Sequence, residues 1–195
     1  MLPAGGTNLF AGPLASAVQG LPGAASTCWW LVDGQDFFQI ELFEFRSPPV
    51  RSLPPGRRPC DIGYTTLGVH VSDLDAALSR AERAGSRPLG GPIGEPGARR
   101  VCVRDRDGVL VELMEDDPRG AVPRSRPRPD LPAAVRSVTL SVGDLDRSRR
   151  FFCDVLGLGV GEGFELHRPE HEVLWGLAGA ERRSAVLTAG DFLVV

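Results

Sequence analysis

The phrase "TTLGVHVSDLDAAL" at residues 65–78 is written a second time, altered, as "SVTLSVGDLDRSRR" at 137–150. Val71-Ser72-Asp73-Leu74-Asp75 falls on Val142-Gly143-Asp144-Leu145-Asp146, a shift of 142 − 71 = 71 residues. The same shift lays "DFFQIELFE" (36–44) on "DGVLVELME" (107–115), matching Asp36 to Asp107, Glu41 to Glu112, Leu42 to Leu113 and Glu44 to Glu115. A third echo sets Gly20-Leu21-Pro22-Gly23-Ala24 on Gly176-Leu177-Ala178-Gly179-Ala180, at 176 − 20 = 156, or two repeats plus 14 residues. Self-similarity at a fixed shift means an array of small modules, each burying its apolar face against a neighbour.

The one complete copy, residues 62–115, can be read for local structure. Residues 64–71 alternate around Leu67, Val69 and Val71, the pattern of a half-buried strand. Ser72 or Asp73 then caps a helix in which Leu74, Ala77, Leu78 and Ala81 keep helical spacing, and Gly85 stops it. A Gly/Pro loop (90–97) leads to a strand at 99–104, a turn at Asp105-Arg106-Asp107-Gly108, and a strand at 109–115. With room for a short strand near 87–93, the module reads βαβββ and the fold class is α+β. The expected organisation is a closing hairpin of an incomplete first module (1–45), a linker (46–60), the complete module (61–116), a Pro/Arg-rich linker (117–133) and a third module (134–195). Both linkers are expected to be extended. Nothing before about residue 25 reads as a strand–helix opening, and the 156-residue echo puts the counterpart of Glu41 at 41 + 156 = 197, beyond Val195. The chain therefore reads as a window on a longer parent, or as one whose missing strands come from a partner in a homodimer.

Composition removes whole classes of chemistry. All 22 basic residues are Arg, so a P-loop, a Schiff-base lysine and a lysine general base are excluded. Net charge is −3 and the arginines are scattered, which argues against a nucleic-acid partner. No apolar run reaches a membrane span and the start lacks the order of a signal peptide, so a soluble, cytoplasmic protein is expected. Cys28, Cys60, Cys102 and Cys153 show neither CxxC spacing nor a disulfide framework.

The phrases "VSDLDAAL" and "VGDLDRSRRFFCDVLGLGV" after a first strand, with the ending "RDRDGVLVELME", resemble the vicinal oxygen chelate superfamily of glyoxalases, bleomycin-resistance proteins and extradiol dioxygenases. The likeness covers residues 26–195, with Arg106 standing where the family has Pro. It implies that βαβββ modules pair into curved mixed sheets forming a cup, with helices on the outer face. It also implies a divalent metal (Fe, Mn, Zn, Ni or Mg) at the floor of the cup, chelating a small-molecule substrate.

Strand alternation weighs the candidate residues. Val109, Val111 and Leu113 share the helix-facing side of their strand, leaving Leu110, Glu112 and Met114 toward the cup. Glu112, and Glu41 in module one, match the family's ligand glutamate, and hard oxygen donors suit such cations. The family's ligand histidine is replaced by Thr66, and by Ser137 in module three, so Thr66 is expected to touch substrate. His70, on the same face, is the candidate displaced ligand or general base. Arg100, Cys102 and Arg104 alternate with Val101 and Val103; Arg100 could fork onto a carboxylate or phosphate, with Cys102 beside it on the cup side. Trp29 and Trp30 place one indole on each face of their strand, and Trp29 could stack on a flat ligand. His167 and His171 have HxxxH spacing, but Pro169 between them favours a helix start that takes in only His171, so they are not expected to bind metal as a pair. Glu162, Glu165, Glu170 and Glu172 read as a solvated acidic stretch.

Two functions follow. One is a metal-dependent lyase, isomerase or dioxygenase acting on an oxygen-rich substrate, with Glu112, Glu41 and His70 as ligands. The other is a metal-free protein that binds an aromatic or drug-like ligand in the same cup.

Overall fold

The computed structural model describes residues 2–3, 8–32, 39–54, 56–118, 132–161, 166–177, 179–190 and 193–194. The chain divides into two compact units, Met1–Pro54 and Pro55–Val195.

In the first unit, strand β3 (Ala25–Val32) pairs antiparallel with β4 (Gln39–Ser47) on one edge. On the other edge it pairs with β1 (Leu2–Pro3) and β2 (Asn8–Ala11). Helix α1 (Pro13–Gln19) lies between β2 and β3, in a stretch where the sequence reading found no strand–helix opening. Its signals are local: Pro13 at the first helical position, and Gly20 at φ 64° ending it in the left-handed conformation.

The second unit is built on an eight-stranded curved open sheet. Module two contributes β5 (Gly63–Val71), helix α2 (Leu74–Arg83), β6 (Arg87–Pro88), β7 (Arg100–Arg104) and β8 (Leu110–Met114). Module three contributes β9 (Ala133–Ser141), helix α3 (Leu145–Arg150) continuing as a π turn through Phe151–Val155, then β10 (Gly159–Val160), β11 (Leu187–Ala189) and β12 (Leu193–Val194). A 3-10 helix spans Pro169–Trp175. The strand order β10-β11-β12-β9-β5-β8-β7-β6 is the same sequence of strands read outward from the centre in both directions. Modules two and three are therefore the pair, joined antiparallel through their opening strands.

The repeat is visible atom by atom. Asp73 caps α2 by accepting from the Ala76 amide at 2.9 Å, and Asp144 caps α3 by accepting from the Arg147 amide at 2.9 Å, both positions 71 residues on. At the centre, Gly68 pairs with Ser137 and Thr66 with Thr139. A side chain at Gly68 would meet the Ser137 hydroxyl at 2.0 Å, which is why the apolar-Gly pair of the motif needs its glycine here.

One face of the module-two half is the core under α2: Val71, Leu74, Ala77, Val101 and Leu113, with Val69 and Val111 against them. This puts the opposite face, with Cys102, Leu110 and Glu112, toward the cup. The closing strands show where the modules differ. Leu110 pairs with Thr66 and Val194 with Ser137, so the shift there is 194 − 110 = 84 rather than 71. Module three thus carries 84 − 71 = 13 additional residues, one fewer than the sequence echo implied. The shift is 159 − 87 = 72 at β10 and 188 − 104 = 84 at β11, so 84 − 72 = 12 of them fall between β10 and β11, the stretch that holds the 3-10 helix.

Candidate functional site

The segment between β10 and β11 folds back over the cup side of module two. Leu174 of the 3-10 helix is buried against Cys102 and Leu110, with Trp175 packed beside them. Pro169 and Arg168 set the start of that helix, and His171 Nδ1 accepts from the Arg168 amide at 3.1 Å. The turn into this helix carries His167 onto the sheet.

Glu112 is 1% exposed and fully committed. His167 Nε2 lies 2.7 Å from its Oε2, and Arg100 Nη1 donates to its Oε1 at 3.3 Å. Arg100, also buried, donates to the Leu166 carbonyl at 2.6 Å and is clamped from its other side by Asp116. Burial alone would raise the Glu112 carboxyl. The hydrogen bond from His167 and the charges of His167, Arg100 and His171 outweigh that and hold it below the ordinary carboxylate range. That direction favours the carboxylate form of Glu112, and an ionised carboxylate only accepts hydrogen bonds, so His167 Nε2 is the donor of this pair.

His167 is fixed on its remaining sides. Its ring stands edge-on to Trp175 at 4.7 Å between centroids. Its carbonyl accepts from Arg182 Nη2 at 2.9 Å, and the Arg182 guanidinium lies 5.6 Å from the Trp175 ring centroid, in cation–π range. Arg182 is also 4.0 Å from Glu172. Glu172 is thus a half-buried partner of the site wall and not the solvated residue that the acidic stretch suggested; Glu162 and Glu165 lie outside the described residues.

His167, Trp175 and Arg182 also line a cavity of about 610 Å³. Thr65, Thr66, Thr139 and Leu140 of the two central strands form one wall; Leu166, His167, Trp175 and the 180–186 stretch form the other, with Pro59 and Cys60 at its edge. The lining is mixed: Leu140, Leu166 and Trp175 face a rim that carries Asp144, Glu172, Glu181, Arg182 and Arg183, in the size range of a small-molecule pocket.

The structure brings Thr66, Arg100, Cys102 and Glu112 into one sheet, with Thr66 buried at the cavity. Cys102 sits opposite Glu112 in the ladder; burial, aided by the Glu112 charge, pushes its thiol up to about 12, so it holds its proton at neutral pH. His70 is paired with Met114, two residues along from the Gly68–Glu112 pair, or about 6.6 Å at the usual strand rise. Burial lowers its pKa, Asp117 raises it, and Nδ1 is enclosed without a hydrogen-bond partner among the described residues. Glu41 and Trp29 belong to the N-terminal unit, where Glu41 is exposed and accepts from Trp30 Nε1 at 2.9 Å. Sequence reasoning weighed His167 only as half of a metal-binding pair, and Trp175 not at all.

The residues present do not fit a divalent cation at Glu112. Both carboxylate oxygens are already taken by cationic or N–H donors, and the guanidinium of Arg100 supplies the positive charge a metal would bring. Among the described residues, no three His, Cys, Asp or Glu side chains come together as a metal site.

No protein-family model matches the sequence, and no curated protein matches it. Solved structures do. A point mutant of glyoxalase I from Zea mays is similar over 96% of this chain and 58% of its own, with 16% identity and a TM-score of 0.54. A glyoxalase family protein from Bacillus cereus is similar over 55% of this chain and 73% of its own, with 26% identity and a TM-score of 0.47. The likeness to the maize protein gives the fold alone, an arrangement of paired modules like that of this glyoxalase. The chain spans 58% of that protein's length.

Proposed function

We propose that residues 55–195 form a small-molecule-binding cup that takes a ligand with an aromatic or otherwise flat body, without a metal bridging that ligand to Glu112. The observation that carries this reading is the state of Glu112: buried, ionised, and satisfied by Arg100 and His167. In the metal-dependent reading this carboxylate would have to be open, and here an internal cation fills its surroundings. The 610 Å³ cavity has the volume for such a ligand, with Trp175, Leu166 and Leu140 as apolar contacts among polar and charged ones. Thr66 would serve as a hydroxyl contact at the floor, and Arg182 as a charge held across Trp175. No helix among the described residues is long and apolar enough to cross a membrane.

The pairing of a buried carboxylate with an imidazole also favours a second reading, an enzyme of this fold that moves a proton to or from the bound molecule. Turnover of a bound ligand that stops in His167→Asn while binding persists would select it.

The test uses equilibrium binding of 8-anilinonaphthalene-1-sulfonate, followed by its fluorescence. The expected result is one site per chain, the same dissociation constant in excess EDTA, and roughly tenfold weaker binding in Trp175→Ala, the scale of a lost aromatic contact. Binding that disappears in EDTA and returns with added metal would overturn the reading.

A further inference from the structure

Helix α1 of the first unit and the 3-10 helix of module three are one element written twice, 176 − 20 = 156 residues apart. Pro13 falls on Pro169 at the start of each helix, and both end on a glycine in the left-handed conformation, Gly20 at φ 64° and Gly176 at φ 66°. The closing bonds repeat as well. The Leu21 amide donates to the Ser16 carbonyl at 3.1 Å, and at the same shift the Leu177 amide donates to the Glu172 carbonyl at 3.2 Å. Each helix is then tied to the segment after it at matching positions: Gln19 donates to the Ser26 hydroxyl at 3.2 Å, and Trp175 lies under Arg182.

What differs is the cover. Leu174 is 1% exposed, because Cys102 and Leu110 of module two receive it. Its counterpart Val18 is 78% exposed, and Leu14, one turn earlier on the same face of α1, is 76% exposed. The first unit thus holds out to water the apolar ridge by which module three grips its neighbour.

The seat for such a ridge lies in the same unit. Strands β3 and β4 stand where β7 and β8 stand in module two, since Glu41 falls on Glu112, and there the cup side of the two strands takes the helix. On the matching side of the first unit, Phe43 is opposite Cys28 and Phe45 opposite Ser26 in the ladder. Phe10 joins them, its ring centroid 6.0 Å from that of Phe43, and both rings are partly open to solvent. Because Gln19 bonds to Ser26, the helix and this aromatic face share one side of the sheet. A surface that carries both ridge and seat is complementary to a copy of itself, the condition for closed two-fold pairing.

We propose that the first unit is a homodimer interface, in which α1 of each copy seats Leu14 and Val18 on the Phe10 and Phe43 face of the other. A second copy is the occupant because one chain supplies both halves of the contact, whereas the seat on module two is already filled by its own Leu174. The grip of module three on module two is the precedent within the chain.

The experiment is sedimentation velocity on the full chain, at concentrations up to about 100 µM. The wild type is expected to form a dimer and to stop there, and Val18→Asp and Leu14→Asp each to weaken it roughly tenfold or more, since a carboxylate would have to be buried in the contact. Both side chains already face water in the single chain, so the variants should keep the wild-type circular dichroism. A monomeric wild type, assembly that continues past two copies, or a dimer equally tight in either variant would overturn the assignment.

Discussion

His167 Nε2 and Glu112 Oε2 are 2.7 Å apart although 55 residues separate them in the chain. The contact joins module three to module two across the cup, and it turns a residue that could have held a metal into the support of an imidazole. Arg100 on the other carboxylate oxygen completes the arrangement. The energetics of this buried trio give the first prediction.

Removing one partner of a buried ion pair leaves the other charge without compensation, at a cost of about 3–5 kcal/mol. Arg100→Met should destabilise the second unit on that scale in urea unfolding, because Glu112 and Asp116 both lose their cation. The double variant Arg100→Met, Glu112→Gln should be less destabilised than the two single changes added together. Strict additivity would mean that the two side chains do not interact.

The pH dependence has a definite sign. Glu112 has its pKa lowered in the folded state, so its contribution to stability is complete above the unfolded carboxylate value and is lost as pH falls through the folded one. His70 is also lowered, chiefly by burial, so its neutral form is favoured on folding; that contribution is present above about pH 6.5 and declines below it. Unfolding free energy should therefore fall in two stages on acidification. His70→Gln should flatten the first stage and leave the second, as measured by denaturant midpoints across pH.

At the crossing of the opening strands, Gly68→Ala forces the Ser137 hydroxyl out of a 2.0 Å overlap and presses on Met114 at 3.1 Å. A loss of about 1–3 kcal/mol is expected for such overpacking. Gly68→Ala combined with Ser137→Gly should recover most of it. An unchanged melting temperature in Gly68→Ala alone would contradict the close approach of β5 and β9.

The two related helices should respond differently to the same change. Leu74, 1% exposed, is sealed under α2, whereas α3 has no buried residue. Leu74→Ala should cost about 2–5 kcal/mol, and Leu145→Ala well under half as much. Loss of either aspartate cap, Asp73→Ala or Asp144→Ala, should cost about 1 kcal/mol of its helix.

Much of this architecture was readable before any coordinates. The two DLD phrases carry their own caps, and the period-two alternation in 109–115 already separates Val111 and Leu113 from Glu112. Local chemistry fixes such features, so local patterns reveal them. What governs Glu112 was not readable, because Arg100 sits on a neighbouring strand and His167 arrives from a different module; neither contact leaves a mark in periodicity. Pro169 was a sound reason to split the HxxxH pair, and the helix does begin there, but the split said nothing of where His167 would go. A clue was present in the changed spacing between opening and closing strands, since extra residues inserted into a repeat must pack somewhere. Here they pack across the open face of the neighbouring module.

The most direct test of the account is the metal stoichiometry of the wild-type chain, loaded by dialysis against Mn²⁺, Ni²⁺ or Zn²⁺, freed of excess by gel filtration, and counted by plasma mass spectrometry. With Arg100 and His167 already on Glu112, the account predicts far less than one ion per chain and no difference between wild type and Glu112→Gln. One retained ion per chain, lost in Glu112→Gln, would contradict it.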